Sequence, residues 1–436
     1  MKSDDAEYIT AYFDAPDDGS FEASGGASAY PPSVQPGIPK LGRKPEGWTR
    51  APIGDFLEPV FRSAKLLDDE RYQLVTAKRS RGGIVPREVL FGRDIRTKTQ
   101  FFVEAGDFLI SRRQISHGAC GIVPESLNGA IVSNEYVALR PKAGLDLRFL
   151  SHLSHSVYFQ QTCFHSSIGV HVEKLVFKLE DWLEWEFDIP PLDEQEQIAS
   201  GLDAWDRVVD LSARRLQSKE RFLNKLIYQL GQNRWVPIAL DDVGKWVGGG
   251  TPSKAVASYW QGDIPWVSPK DMGSWRIDRA EDHISEEAVA KSSTRIVPAG
   301  SVLVVTRSGI LRNTVPSAVA AVPVAINQDI KALQVNGPWS GSLIALIMRQ
   351  ASEQLRLACV KTGTTVESID LDALKATPIA LPDSDDAIAQ AEVVVVGLAR
   401  EIDLLTAQLD GLRTQKRALL QRLFSGGSTT VKEAAE

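Results

Sequence analysis

Apolar residues recur at three-then-four spacing through Leu202, Trp205, Val209, Leu216, Leu223, Leu226 and Leu230. Ser212 and Lys219 fill the two places on this seam that are not apolar. Such spacing turns one stripe of a helix toward a partner helix, as in a coiled coil, and predicts a spacer helix over 189–231. Pro190 and Pro191 stand at its start, where rings that cannot continue a ladder do least harm. Asp193 and Glu194 then set carboxylates near the positive end of the helix dipole. A second seam follows Pro382: Leu398, Ile402, Leu405, Leu409, Leu412, Leu419 and Leu423, with Lys416 in the gap. It predicts a second spacer helix over 379–425. Either helix alone reads as an ordinary amphipathic element packed on a nearby core. Two of them, each following a similar block of sequence, read as a spacer used twice.

Outside the seams the pattern shortens. Strand-like pieces at 71–76, 100–104, 107–111 and 130–139 are broken by Gly and Pro, and a mostly helical stretch covers 147–164. After Leu230 the layout starts again. At a fixed shift of 194 residues, Val103 meets Val297, Ala105-Gly106 meets Ala299-Gly300, Leu109 meets Leu303 and Arg113 meets Arg307. Ala138-Leu139 meets Ala332-Leu333, Gly169 meets Gly363, Val172 meets Val366, and Glu135 meets Asp329. The chain is read as an internal duplication of globular domain plus helix. The expected division is an acidic disordered tail over 1–42, a globular domain over 43–188 and the first spacer helix. A second globular domain over 232–378, the second spacer helix and a disordered tail over 426–436 complete it. Mixed short strands and helices predict an α/β (α+β) class.

Composition changes this picture only in places. A chain of 436 residues, 43% hydrophobic and 24% charged, fits a soluble globular protein of two or three domains. Cys120, Cys163 and Cys359 form no CxxC pair, which suits a reducing cytoplasm without disulfides or a zinc finger. The polar, acidic N-terminus does not read as a signal peptide, and no apolar run is long enough to span a bilayer. Net charge is −7, but it is uneven. Residues 1–42 carry a balance of −5, whereas 71–98 hold eight basic residues and two acids. A basic block of this kind is either a solvated face or a local patch for nucleic acid, and the overall sign does not decide between them.

Several motifs bear a family likeness. Ile189-Pro190-Pro191-Leu192-Asp193-Glu194-Gln195, opening a coiled-coil helix, resembles the signature of type I restriction–modification specificity subunits. In the second half, Tyr259-Trp260-Gln261-Gly262-Asp263-Ile264-Pro265-Trp266-Val267-Ser268 is similar to the start of their target-recognition domains. Ile284-Ser285-Glu286-Glu287-Ala288, Ala299-Gly300-Ser301-Val302-Leu303, Ile326-Asn327-Gln328 and Thr362-Gly363-Thr364-Thr365-Val366 also match. The first half lacks the YWxGDIPW segment. The second proline-rich motif departs to Ile379-Ala380-Leu381-Pro382-Asp383-Ser384-Asp385, without the Glu-Gln pair. The resemblance covers about 46–424 and implies two target-recognition domains, each reading half of a split site in double-stranded DNA, joined by an antiparallel helix pair. It further implies a non-catalytic subunit that orients two methyltransferase subunits carrying S-adenosylmethionine, and often restriction subunits with an ATP-driven, magnesium-dependent motor.

Phosphate grip needs Lys and Arg, and base reading needs these with Asn, Gln, Ser and Thr. The expected DNA-binding residues are Lys78, Arg79, Arg81, Arg112 and Arg113 in the first half. Their counterparts in the second are Ser268, Lys270, Thr306, Arg307, Ser308 and Arg312. Each also reads as an ordinary exposed or structural side chain. Trp260 and Trp266 read as core or groove-lining aromatics. Pro190, Pro191, Glu194 and Gln195 are expected to meet partner subunits. Two other function classes remain in view. One is a metal-dependent hydrolase built from the histidines between His117 and His171, for instance His152, His155 and Cys163. The other is a structural adaptor that never touches DNA. No HExxH, GxSxG, Walker-type or methyltransferase motif is present.

Overall fold

The computed structural model describes residues 37–169, 171, 174–361 and 366–424. The tails expected before 37 and after 424, and Val172, Gly363 and most of the Thr362–Val366 motif, lie outside the described residues. The chain forms two compact units, one holding the residues up to Asp210 and again from Asp410, the other Leu211–Leu409.

In the first unit the strands are β1 (Thr49–Pro52), β2 (Leu57–Val60), β3 (Ser63–Ala64), β4 (Arg71–Ala77), β5 (Ile84–Phe91), β6 (Gln100–Phe102) and β7 (Phe108–Ser111). They continue with β8 (Cys120–Ile122), β9 (Ile131–Ser133), β10 (Tyr136–Pro141), β11 (Ser167–Ile168), β12 (Val176–Phe177) and β13 (Glu186–Ile189). One sheet runs β2-β10-β7-β8 and another β3-β6-β9-β4-β5. The 130–139 stretch is two strands because the turn at Asn134-Glu135 carries the chain from one sheet to the other. The expected helix over 147–164 is likewise two, Leu147–Leu153 and Val157–His165. Ser156 breaks it by capping the second helix, accepting from the Phe159 N–H.

The second unit repeats the plan. Its strands are β14 (Val236–Ala239), β15 (Gly244–Gly248), β16 (Ile264–Val267), β17 (Arg276–Ile277), β18 (Asp282–Ile284), β19 (Arg295–Val297) and β20 (Val302–Val305). After them come β21 (Ser317–Ala320), β22 (Val324–Ile326), β23 (Ile330–Val335), β24 (Val360–Lys361), β25 (Ser368–Ile369) and β26 (Pro378–Leu381). The sheets run β15-β23-β20-β21-β17 and β18-β16-β22-β19. Thus β15-β23-β20-β21 matches β2-β10-β7-β8, and β18-β16-β22-β19 matches β5-β4-β9-β6. Even the sign of pairing is kept: β4 is parallel to β9, and β16 is parallel to β22. The strand β4 therefore stands where the second unit has the Ile264–Val267 part of its YWxGDIPW segment.

Both units draw on the long helices, Leu192–Asn233 and Gly397–Phe424. In the first unit Ile198, Ala199 and Leu202 share a core with Leu420, Leu423 and Phe424. Phe149 meets Phe424 edge-on at 5.5 Å, a contact worth about 0.5–1.5 kcal/mol beyond its buried area. In the second unit Leu223 and Ile227 join Val395, Val396, Ala399 and Ile402. Rising numbers on one helix meet falling numbers on the other, so the pair is antiparallel. The seam lysines find their partners here. Lys416 bonds Asp206 across the pair in the first unit, and Lys219 reaches Glu401 at 2.9 Å in the second. The second helix is preceded by Asp385–Ala391 and a π-helical turn, Glu392–Val396. No helix among the described residues is long and apolar enough to cross a membrane.

Candidate nucleic-acid interface

In the first unit the hairpin turn at 78–83, between β4 and β5, lies on the 3-10 turn Ile115–His117. Ser80 N–H donates to His117 O at 2.7 Å and Arg81 N–H to Gly118 O at 3.1 Å. Gly118, at φ 78°, lets the chains come this close, since a Cβ there would sit 3.2 Å from the Arg81 nitrogen. The result brings Arg79 beside the other predicted loop: its Nε donates to Gln114 Oε1 at 2.8 Å. Arg113 is exposed and paired with Glu135 at 2.7 Å. Two expected contacts turn out differently. Arg112 folds back, with Nη1 donating to Phe177 O at 3.5 Å. The Arg81 side chain points inward, and burial lowers its pKa below the ordinary guanidinium range.

The second unit builds the equivalent place on the same scaffold. Arg112 N–H donates to Glu135 O at 2.8 Å, and Thr306 N–H donates to Asp329 O at 2.7 Å. Thr306 itself is buried, its Oγ1 donating to Asp329 O at 3.1 Å, so it braces the loop rather than facing outward. Arg307 is exposed, and no ion pair holds its guanidinium among the described residues. Ser308 caps the 3-10 turn Gly309–Arg312 through the Ile310 N–H. Arg312 bonds Glu367, and that hydrogen bond holds the Glu367 carboxyl below its usual range. The Asn327–Asp329 turn joins this loop to Ser268, because Asn327 N–H donates to Val267 O at 3.0 Å. Ser268 is spent on a capping box with Asp271. Lys270 sits between Glu281 at 2.9 Å and Asp282 at 3.0 Å. Burial lowers its pKa, but the two carboxylates outweigh it and leave the ammonium above its ordinary value. Trp266 is buried, donates to Gly250 O at 3.1 Å, and meets Trp260 edge-on at 5.0 Å.

At the first helix start, Pro190 is buried, while Pro191 and Leu192 are exposed. Glu194 Oε1 accepts from Trp48 Nε1 at 3.1 Å. Gln195, 0% exposed, faces inward, so the expectation of a partner contact is corrected to a clamp. Its Oε1 accepts from Asp146 N–H at 2.7 Å, and its Nε2 donates to Gly144 O and Pro190 O at 2.8 Å each. The second half repeats the accepting arm of this clamp in Glu392, whose Oε1 accepts from Ser340 N–H at 3.0 Å. Asp146 and Ser340 are themselves equivalent at the 194-residue shift, and each caps the helix that follows it. The missing Glu-Gln pair thus hid a carboxylate that plays the same part further along the chain.

The histidine cluster does not assemble as the hydrolase reading needs. His152 Nε2 bonds Asp203 at 2.8 Å with Asp206 nearby, and Lys416 already holds Asp206. Among the described residues this is the one metal-like group, and it includes neither His155 nor Cys163. Cys163 is buried, which pushes its thiol well above the usual range. Residues that sequence reasoning left without a role are Glu135, Asp329, Glu367 and Glu392. The Ile326-Asn327-Gln328 motif was the available signal for Asp329, which follows it directly.

Comparison with known proteins bears on the family and the fold. A family model described as type I restriction modification DNA specificity domain matches residues 45–220 and again 232–394. The EcoR124I/EcoR124II specificity subunit of Escherichia coli is 39% identical over 203 residues, 43% of this chain and 49% of that protein. The MjaIX specificity subunit of Methanocaldococcus jannaschii is 29% identical over 155 residues, 35% of each chain. The matched part therefore spans half or less of these relatives' length. Among solved structures, a type I restriction–modification S subunit from M. genitalium has a TM-score of 0.57 at 13% identity, covering 89% of this chain and 98% of that one. A chain from a study of complex assembly and conformational transition in the type I R-M system has a TM-score of 0.56 at 18% identity, covering 88% and 100%. At such identities they speak for the fold alone. With the family model matched twice over most of its length, the chain belongs to the type I restriction–modification DNA specificity family.

Proposed function

We propose that this chain is the sequence-specificity subunit of a type I restriction–modification complex, each unit reading one half of a bipartite site in duplex DNA. The observation that carries the reading is the duplication: two units of one strand order present unlike polar side chains at equivalent loops. Arg113 and Gln114 after β7 answer to Arg307 and Ser308 after β20, and the turn after β4 that carries Arg79 answers to the connection after β16 that carries Lys270. One scaffold used twice with different reading loops suits a target with two different halves. The helices dock two methyltransferase subunits and, in a full complex, restriction subunits. Leu211, Phe222 and Tyr228 on the first helix and Leu404 on the second are exposed, which supports a covering partner. The subunit itself catalyses nothing, S-adenosylmethionine and ATP with magnesium belong to its partners, and the complex works in the cytoplasm.

The test is to map methylated bases in cells carrying this subunit with its methyltransferase partner. A split motif is expected, and exchanging residues 45–188 for those of another specificity subunit should change one half of it only. Changes in both halves, or an unsplit motif, would refute the two-reader arrangement. Methyl transfer or ATP hydrolysis by the highly purified subunit alone would refute its non-catalytic role.

A further inference from the structure

The turn at 78–83 holds two successive non-glycine residues in the left-handed region, Ser80 at φ 56° and Arg81 at φ 62°. No other non-glycine among the described residues has a positive φ. Such a backbone is strained for a residue with a Cβ and persists only where its surroundings over-determine it. Here the two N–H bonds to His117 O and Gly118 O fix the backbone. The Arg81 Nε is buried with no hydrogen-bond partner among the described residues. Gln160 Oε1 is also buried without one, while its Nε2 is spent on Ile115 O. The titratable groups beside the Arg81 guanidinium are Cys120, Arg417, Cys163 and His155, with no carboxylate among them. Burying a cation without a counter-charge is unfavourable, so a solvated arginine would be the stabler choice if this side chain only decorated a turn. Its neighbour Arg79, by contrast, reaches out to Gln114 on the exposed side.

We propose that Arg81 is a positioning residue of the DNA-reading loop. Its inward side chain holds the strained turn so that Lys78 and Arg79 stand beside Gln114 and Arg113, and it makes no DNA contact of its own. The role rests on the DNA reading given above, and the experiment separates the two. Arg81→Asn removes the anchor but keeps a residue type that tolerates the left-handed region. Arg81→Lys keeps the charge and loses the planar fork. Both are made in the full chain and measured by amide hydrogen exchange, and by binding to a fluorescein-labelled mixed-sequence duplex over a range of salt concentrations. The Ser80 and Arg81 amides should exchange at least about tenfold faster in both variants. Duplex affinity should fall several-fold at every salt concentration with an unchanged salt slope, whereas Arg79→Ala should lower the slope by about one. Unchanged exchange would overturn the anchor, and a slope lowered by about one in Arg81→Asn would make Arg81 a phosphate contact. If Arg81→Asn does not fold, Arg81→Lys carries the same two readouts. If Arg79→Ala changes neither affinity nor slope, the DNA reading of this loop falls and the positioning role with it, while the exchange result still reports on the anchor.

Discussion

Arg113 and Arg307 occupy equivalent places, yet different neighbours hold them. Arg113 is tied to Glu135 at 2.7 Å, while the Asp329 carboxylate in the same position is approached by Asn327 and Gln328 instead. An exposed pair such as Arg113–Glu135 contributes only about 0–1 kcal/mol, so it is easily exchanged for a phosphate. Arg307→Ala should weaken duplex binding and lower its salt slope by about one, and Arg113→Ala should do the same less strongly. Glu135→Gln should tighten binding by freeing Arg113. Titrations of the three variants with one duplex check this, and an unchanged slope in both alanine variants would remove these arginines from the interface. Residue type and repeat position marked both arginines in the sequence. The inward turn of Arg81 was not legible there, because it follows from two φ angles and a Gly118 approach that no local pattern encodes. His155 offers a pH test at the same scale. Loss of water, then the charges of Arg81 and Lys416 and the neighbouring His152 ring, hold its pKa well below the ordinary value. It stays neutral when folded but protonates near pH 6.5, roughly, when unfolded. Stability from this group is therefore complete above that pH and is lost as pH falls toward the folded pKa. The melting temperature should drop between about pH 7 and pH 5, and His155→Gln should flatten that drop. An identical pH profile in the variant would place the acid sensitivity elsewhere.

At the scale of elements, the two seams were the most legible feature, because a 3.5-residue apolar period sustained over many turns is the mark of one helix facing another. Leu202, Val209, Leu223, Ile402, Leu409 and Leu423 are all buried as the spacing requires. The polar interruptions were legible as gaps but not as partners: Lys219 and Lys416 find Glu401 and Asp206 only once the helices are paired. A polar pair inside an apolar seam fixes register at some cost in stability. Lys416, with 11% of its side chain exposed, also faces the carboxylates gathered around His152. Lys416→Ala should therefore destabilise the protein by about 1–3 kcal/mol, less than a fully buried pair because Asp206 is half exposed. Denaturant unfolding measures it, and a stability unchanged or raised would show the pair to be dispensable to the fold. The strands named at 71–76, 100–104 and 107–111 were placed within a residue or two, but the order of strands in the sheets was not legible. Alternation gives a strand its faces and says nothing about which non-local strand lies beside it.

At the scale of the molecule, duplication was legible from identities at one shift, and the strand orders bear it out down to the parallel pairs β4–β9 and β16–β22. What diverged is the hairpin partner of those strands: β5 has eight residues and β18 has three. The helix Leu192–Asn233 runs without a break and contributes to both units, so its length is a quantity that function can use. Adding one heptad between Leu216 and Leu223 keeps the seam in register and lengthens the helix by about 10 Å. Duplex DNA rises about 3.4 Å per base pair. If the helix axis lies near the DNA axis in the complex, the unspecified gap between the half-sites should grow by about three base pairs while the half-sites stay the same. Methylation mapping of the wild-type and inserted subunits, each with the methyltransferase partner, decides it. An active complex with an unchanged gap would show that the helix does not set the distance. Altered half-site bases would move the reading function from the globular units to the helices, and with it the roles assigned to Arg79, Arg113 and Arg307.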